Sequence, residues 1–139
     1  MVQDESFKGV AGIGSRVQGR ALVASDGFSA RYDLDRINGV FSRPSHALAG
    51  QSYVGRVLVL DIAKGGVATA WMLHEMVKMG KAPLALILNR ANPVMAQGAA
   101  FGEVSLIDRF EIDITKVLET GDLLDVYPES ATVTVLERV

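Results

Sequence analysis

Hydrophobic residues follow two rhythms along this chain, one of period two and one near 3.6, and the changes between them outline the elements. In residues 15–25, Val17, Ala21 and Val23 stand among Arg16, Gln18 and Arg20, and the stretch closes at Asp26-Gly27. That alternation predicts a half-buried strand, in which Gly19 marks a bulge or a close backbone approach. Residues 54–62, Val-Gly-Arg-Val-Leu-Val-Leu-Asp-Ile, form a nearly continuous aliphatic run, the pattern of a strand covered on both faces. After Ala63-Lys64-Gly65-Gly66 the period changes: Ala70, Leu73, Met76 and Val77 recur at helical spacing over 67–79, and Gly80 ends the helix. Residues 83–88 predict a second buried strand. Residues 54–88 thus make a βαβ unit, whose crossover is expected to be right-handed.

The flanks are less regular. Residues 28–52 are polar and broken by Asn38-Gly39, Arg43-Pro44 and Gly50, a length unusual for a plain connection and common for a functional loop. Residues 96–101 suit one or two helical turns, and 105–110 a third parallel strand. Residues 123–127 and 131–137 alternate on either side of Pro128-Glu129-Ser130, which predicts an antiparallel hairpin closing the domain. The expected fold class is α/β, a barrel-like β layer carrying a βαβ unit and a C-terminal antiparallel hairpin. No repeat or linker divides the chain, so residues 1–139 are read as a single domain, with 1–8 and 41–52 expected to be mobile.

Composition narrows the function. With 49% hydrophobic and 22% charged residues in 139, the chain suits one compact core. A net charge of -2 with scattered Lys and Arg offers no field for phosphate backbones, which excludes nucleic acid as the expected partner. There is no cysteine, so the chain supplies no thiol nucleophile, zinc thiolate or iron–sulfur ligand, and no metal or cofactor is expected on it. The polar, acidic start and the lack of a long apolar run predict neither signal peptide nor membrane segment, hence a cytoplasmic location.

Several residues could carry chemistry. Lys64, Gly65 and Gly66 form a strand-to-helix turn, where glycines admit a ligand, the helix dipole favours an anion and Lys64 adds a charge; an ordinary glycine turn with a solvated lysine reads equally well. The spacing matches neither a P-loop nor a dinucleotide fingerprint. Asn89, Arg90 and Asn92 follow the second buried strand at its carboxyl end, where α/β sheets place ligands, and could bind polar substrate groups, Arg90 being the chosen candidate; loop capping explains the asparagines just as well. Ser52 ends the long loop before a buried strand; as a base its alkoxide would need nearby donors, and otherwise it is a turn hydroxyl. His46, in the same loop, could bind substrate or orient Ser52, or be a surface or turn residue. Trp71, Met72, His74, Met76 and Met79 suit a methionine-filled core or a partner interface.

Taken in order, Pro44-Ser45-His46-Ala47-Leu48-Ala49-Gly50-Gln51-Ser52, Val54-Gly55-Arg56-Val57-Leu58-Val59, the glycine turn, Lys81-Ala82-Pro83, Asn92-Pro93 with Gly98-Ala99, Ile107-Asp108 and Thr120-Gly121-Asp122 resemble the aconitase X swivel domain from about Gly19 to the C-terminus. The resemblance implies a swivelling β/β/α domain, the small subunit of a heterodimeric aconitase X type hydro-lyase. It would close on a large subunit and, only with it, dehydrate a small hydroxy acid beside an iron or iron–sulfur centre held by the partner's cysteines. Ser52 stands where aconitase-like swivel domains place a serine near substrate, which implies a catalytic role. His46, Lys64, Gly65, Gly66 and Arg90 would bind substrate.

One departure matters. Related sequences commonly carry a Ser- and Gly-rich segment after the buried strand, where this chain has Lys64-Gly65-Gly66-Val67-Ala68-Thr69-Ala70. Fewer hydroxyls to cradle a phosphate count against a phosphorylated substrate. The expected substrate is therefore cis-3-hydroxy-L-proline, with phosphomevalonate second. Two other classes compete: a phosphohistidine carrier, for which His74 is wrongly spaced, and a non-catalytic small-anion-binding or assembly module.

Overall fold

The parallel core of the fold is the part that the aliphatic runs predict. In the computed structural model, which describes residues 5–27, 33–63, 67–91, 96–97, 99–100 and 104–139 (only the backbone for Ala11 and 67–71), strands β3 (Val17–Val23), β6 (Val57–Ile62), β7 (Ala85–Arg90) and β8 (Ser105–Asp108) lie side by side and parallel. Helix α1 (Val67–Lys78) connects β6 to β7, and their register runs from Val57 opposite Ala85 to Ile62 opposite Arg90. The hairpin of β9 (Leu123–Tyr127) and β10 (Thr132–Glu137), joined by a 3-10 turn at Pro128–Ser130, adds antiparallel to β3. Helix α2 (Ile114–Val117) is capped by Asp113 and precedes β9.

Alternation along β6 and β7 divides the interior into two clusters, since successive side chains leave opposite faces of a sheet. Leu58, Leu60, Leu86 and Leu88 meet Leu73 and Met76 of α1 and, from the long loop, Leu34, Phe41, Leu48 and Tyr53. Val57, Val59, Ala85 and Ile87 face the other way, onto Ile114 and Leu118 and the hairpin's Leu124, Val126, Val133 and Val135. Gly19 sits in an unbroken register with Leu124, so it marks no bulge; a Cβ there would stand 2.8 Å from Leu84 Cδ2, and the glycine permits the close approach.

Three regions differ from expectation. The first is the N-terminus, expected to be mobile through residue 8: Glu5–Lys8 form β1, paired along its whole length with β10. This edge strand is polar, so its order comes from the ladder it joins and not from a hydrophobic period of its own. β2 (Ala11–Ile13) follows at once, yet pairs with β8 at the opposite edge of the sheet. The two intervening amides are held as well, Gly9 N by Ala131 O at 2.8 Å and Val10 N by Asp108 O at 3.0 Å. The sheet therefore curls until one short segment straps its two edges. β1 and β2 do not pair with each other, so the barrel-like layer is an open, strapped sheet and not a closed barrel.

The second is the long loop. Within it β4 (Leu34–Asp35) and β5 (Val40–Phe41) form a small hairpin, whose turn is capped by Asp35 accepting from the Ile37 and Asn38 amides, both at 3.1 Å. Residues 41–52, expected to be mobile, fold back on this hairpin through Phe41 N to Gln51 O at 2.9 Å and Gly50 N to Phe41 O at 2.8 Å. The third is β8, which stops at Asp108 where 105–110 is predicted, because Arg109 turns to a left-handed φ of 60°.

Candidate functional site

Three neighbouring parallel strands, β6, β7 and β8, end together at Ile62, Arg90 and Asp108, the edge where open α/β sheets usually admit ligands. Side chains brace that edge from below. The Asn89 amide donates to Asp61 Oδ1 at 2.9 Å and to Asp113 Oδ1 at 2.8 Å, while its oxygen accepts from Ile114 N at 2.9 Å. Asp113 also accepts from the Thr115 hydroxyl at 2.7 Å and amide at 3.0 Å. These donors, the Thr115 hydroxyl first and the Asn89 amide next, hold the Asp113 carboxyl below its usual range. Asp108 is buried and accepts from Ala91 N at 3.0 Å. One lattice of side chains thus ties β6, β7, β8 and α2 together.

Arg90 stands on that frame. Alternation with Leu86 and Leu88 puts it on the face that α1 covers, its carbonyl accepts from Ala63 N at 3.0 Å, and its side chain is exposed. No described residue pairs with its guanidinium. Lys64, Gly65 and Gly66 lie outside the described residues, as does Asn92. Their flanks are described: Ala63, bonded to Arg90, on one side and Val67, the first residue of α1, on the other.

His46 is 3% exposed, at the same end of the sheet. Nε2 stands 3.0 Å from Gly27 O and Nδ1 accepts from Leu48 N at 3.1 Å, which assigns the neutral tautomer with the proton on Nε2. Its ring stacks on Phe41 at 4.6 Å between centroids, and Asp26 and Asp33 flank it at 3.8 and 4.0 Å. Nε2 thereby pins the loop to the segment after β3, and Nδ1 holds the loop's own turn. Asp26 adds a 2.7 Å bond from Ala47 N, and Arg43 pairs with buried Asp33 at 2.6 Å. The imidazole does not reach Ser52.

Ser52 lies at the other end. It bridges Val40, its hydroxyl donates to Gly39 O at 3.0 Å and accepts from Val54 N at 3.3 Å, and the turn at Tyr53 to Arg56 leads into the start of β6. A Cβ on Gly39 would lie 3.4 Å from Lys81 Cδ, which marks this as the amino rim, near the C-terminal end of α1. The length of β6, about 20 Å for an extended strand, separates Ser52 from Arg90. The fold thus gathers Arg90, His46 and the residues flanking 64–66 at one end, and leaves Ser52 at the other.

Of the apolar cluster on α1, Met76 is fully buried in the core, Met72 packs against it and Met79 is half exposed. Asp61, Arg109 and Asp113 were not singled out from sequence, and Asp108 entered only within the family pattern, with no role. A signal was present: the buried runs of β7 and β8 each close on a polar residue followed by arginine, Asn89-Arg90 and Asp108-Arg109. Among the described residues no three His, Asp or Glu converge as a metal-ligand set, and no helix is long and apolar enough to cross a membrane.

Fold and site together define an α/β domain, an open strapped sheet whose carboxyl edge carries the exposed Arg90 and Arg109 beside buried Asp108. The aconitase X swivel domain model matches residues 6–135, and the chain belongs to that family. It is 34% identical over 112 residues to the phosphomevalonate dehydratase small subunit of Methanopyrus kandleri, covering 81% of this chain and 83% of that one. The protein of the same name from Methanocella arvoryzae is 32% identical over 120 residues, 86% of this chain and 91% of its own. Among solved structures, the crystal structure of Thermococcus kodakaraensis aconitase X in its holo form superimposes with a TM-score of 0.88 at 26% identity, covering 96% of this chain and 99% of that one.

Proposed function

We propose that this chain is the small subunit of a heteromeric aconitase X type dehydratase acting on a phosphorylated hydroxy acid, phosphomevalonate. The observation that carries this reading is that several relatives, 32–34% identical over about four fifths of this chain, bear that name. It reverses the order expected from sequence, which ranks cis-3-hydroxy-L-proline first because hydroxyls are lost after β6. Hydroxyls are not the only donors to a phosphate: a guanidinium offers paired N–H groups and a full charge, and Arg90 stands uncommitted among the described residues.

Dehydration of a hydroxy acid removes a proton beside the carboxylate and expels hydroxide from the neighbouring carbon, with donors stabilising the charge that develops. The share assigned to this chain is to bind the substrate's distal anion at the carboxyl edge and, on closure, to exclude water from the partner's centre. The described residues gather no metal-ligand set and the chain has no cysteine, so iron or an iron–sulfur cluster would be held by the large subunit.

The test is co-expression with a large subunit, anaerobic purification of the complex, and parallel dehydration assays with phosphomevalonate and cis-3-hydroxy-L-proline. Turnover of the phosphorylated acid that needs both subunits is expected. Turnover of hydroxyproline alone would replace this substrate assignment, and ligand binding by the isolated chain without turnover in any complex would favour a binding module.

A further inference from the structure

Resting on the reading above, we propose that Arg109 and Arg90 together form a two-guanidinium site for the phosphoryl group of the substrate, and that Asp108 is the positioning residue that sets Arg109 beside Arg90. Three observations converge. Arg109 holds a φ of 60°, a conformation that favours glycine, with its amide donating to Asn89 O at 3.1 Å. A side chain kept at such a position points to a use for that side chain. Second, one buried oxygen, Asp108 Oδ2, stands 3.0 Å from the amide that follows Arg90 and 3.5 Å from Arg109 Nε. The Asp108 side chain is 6% exposed, while the Arg109 side chain beside it is 61% exposed. Nε is the Arg109 nitrogen nearest the carboxylate, and most of the side chain lies in solvent. Third, Arg90 stands on the adjacent strand and the same face as Asp108, with no described partner for its guanidinium.

Two forked cations on a rigid strand edge suit a tetrahedral dianion, which accepts paired N–H bonds from two directions. The ligand class is a phosphate monoester.

Two measurements test this. In the complex with the large subunit, Arg109→Gly relieves the backbone, so its melting temperature is expected to hold or rise while KM for phosphomevalonate rises about 10- to 100-fold, more than kcat falls. Arg109→Lys should recover part of that loss. Asp108→Asn, which keeps an acceptor for the Ala91 amide but loses the charge under Arg109, should give an intermediate KM. Separately, inorganic phosphate titrated into the full chain should shift the side-chain Nε–H signals of Arg90 and Arg109, and the Arg90 shift should vanish in Arg109→Gly. Unchanged KM in a complex that turns over phosphomevalonate, or absent phosphate shifts, overturns the two-arginine site and leaves the substrate reading standing. A complex that turns over hydroxyproline alone removes the substrate reading, and the phosphate shifts then decide the arginine site by themselves.

Discussion

The two ends of the parallel strands use polar residues in opposite ways. At the amino rim, side chains turn inward to satisfy backbone: Ser52 bonds Gly39 O at 3.0 Å, and Arg56 bonds Ala21 O at 2.6 Å and Arg20 O at 3.3 Å. At the carboxyl edge the acids and Asn89 brace one another and nearby amides, and arginines are set above that frame. Polarity alone does not mark a site. What separates the ends is whether hydrogen-bonding capacity is spent within the fold or left facing outward.

Substitutions at the two ends should therefore fail differently. The largest effect is expected at the carboxyl edge: Arg90→Ala in the assembled complex should raise KM about 10- to 100-fold with almost no change in melting temperature, because an exposed guanidinium contributes little to folding. Steady-state kinetics beside calorimetry checks this; a loss of stability with KM intact would make Arg90 structural.

At the amino rim the effects should fall on stability. Tyr53 is fully buried, its hydroxyl has no hydrogen-bond partner among the described residues, and burial pushes it up to about 12. A folded-state value above the unfolded one, near 10, means that the stabilisation is complete below pH 10 and is lost as pH rises from there toward 12. The loss should reach about 2–3 kcal/mol, which denaturant melts across that range would measure. Tyr53→Phe should abolish the slope; a slope that survives belongs to another group.

Gly39→Ala should cost about 1–3 kcal/mol, since φ is 72° and the new Cβ would stand 2.5 Å from Val54 Cγ2. KM in the complex should not move. Ser52→Ala is expected to have the smallest effect, about 1 kcal/mol for the loss of a turn hydroxyl. Its kcat is the sharpest test of the whole contrast. Collapse of turnover with the complex intact would return base chemistry to the amino rim, as the family resemblance suggests for this serine.

The legible parts of this protein were those whose pattern is local. The βαβ unit and the final hairpin could be read because β6, α1, β7, β9 and β10 each carry their own hydrophobic period within a dozen residues. β1 could not be read, since Glu5-Ser6-Phe7-Lys8 has one apolar residue and becomes a strand only beside β10, more than a hundred residues away. Arg90 was legible because it follows a buried strand. Arg109 was not, because the predicted strand ran through it, and the turn at φ 60° rests on a bond to Asn89 of the neighbouring strand.

His46 and Ser52 show the same limit from the side of function. Their spacing suggests one site, yet the loop runs out to the carboxyl end at His46 and back to the amino rim at Ser52. By itself the sequence determined the parallel aliphatic strands, the helix between them, the closing hairpin and the absence of thiol chemistry, because periodicity and composition are properties of neighbours along the chain. Only the tertiary structure decided how the first strands strap the sheet and which polar groups are spent on one another. The same holds for which of the candidate residues share an end of the sheet. Those outcomes depend on pairings between distant segments, whose registers no local pattern records.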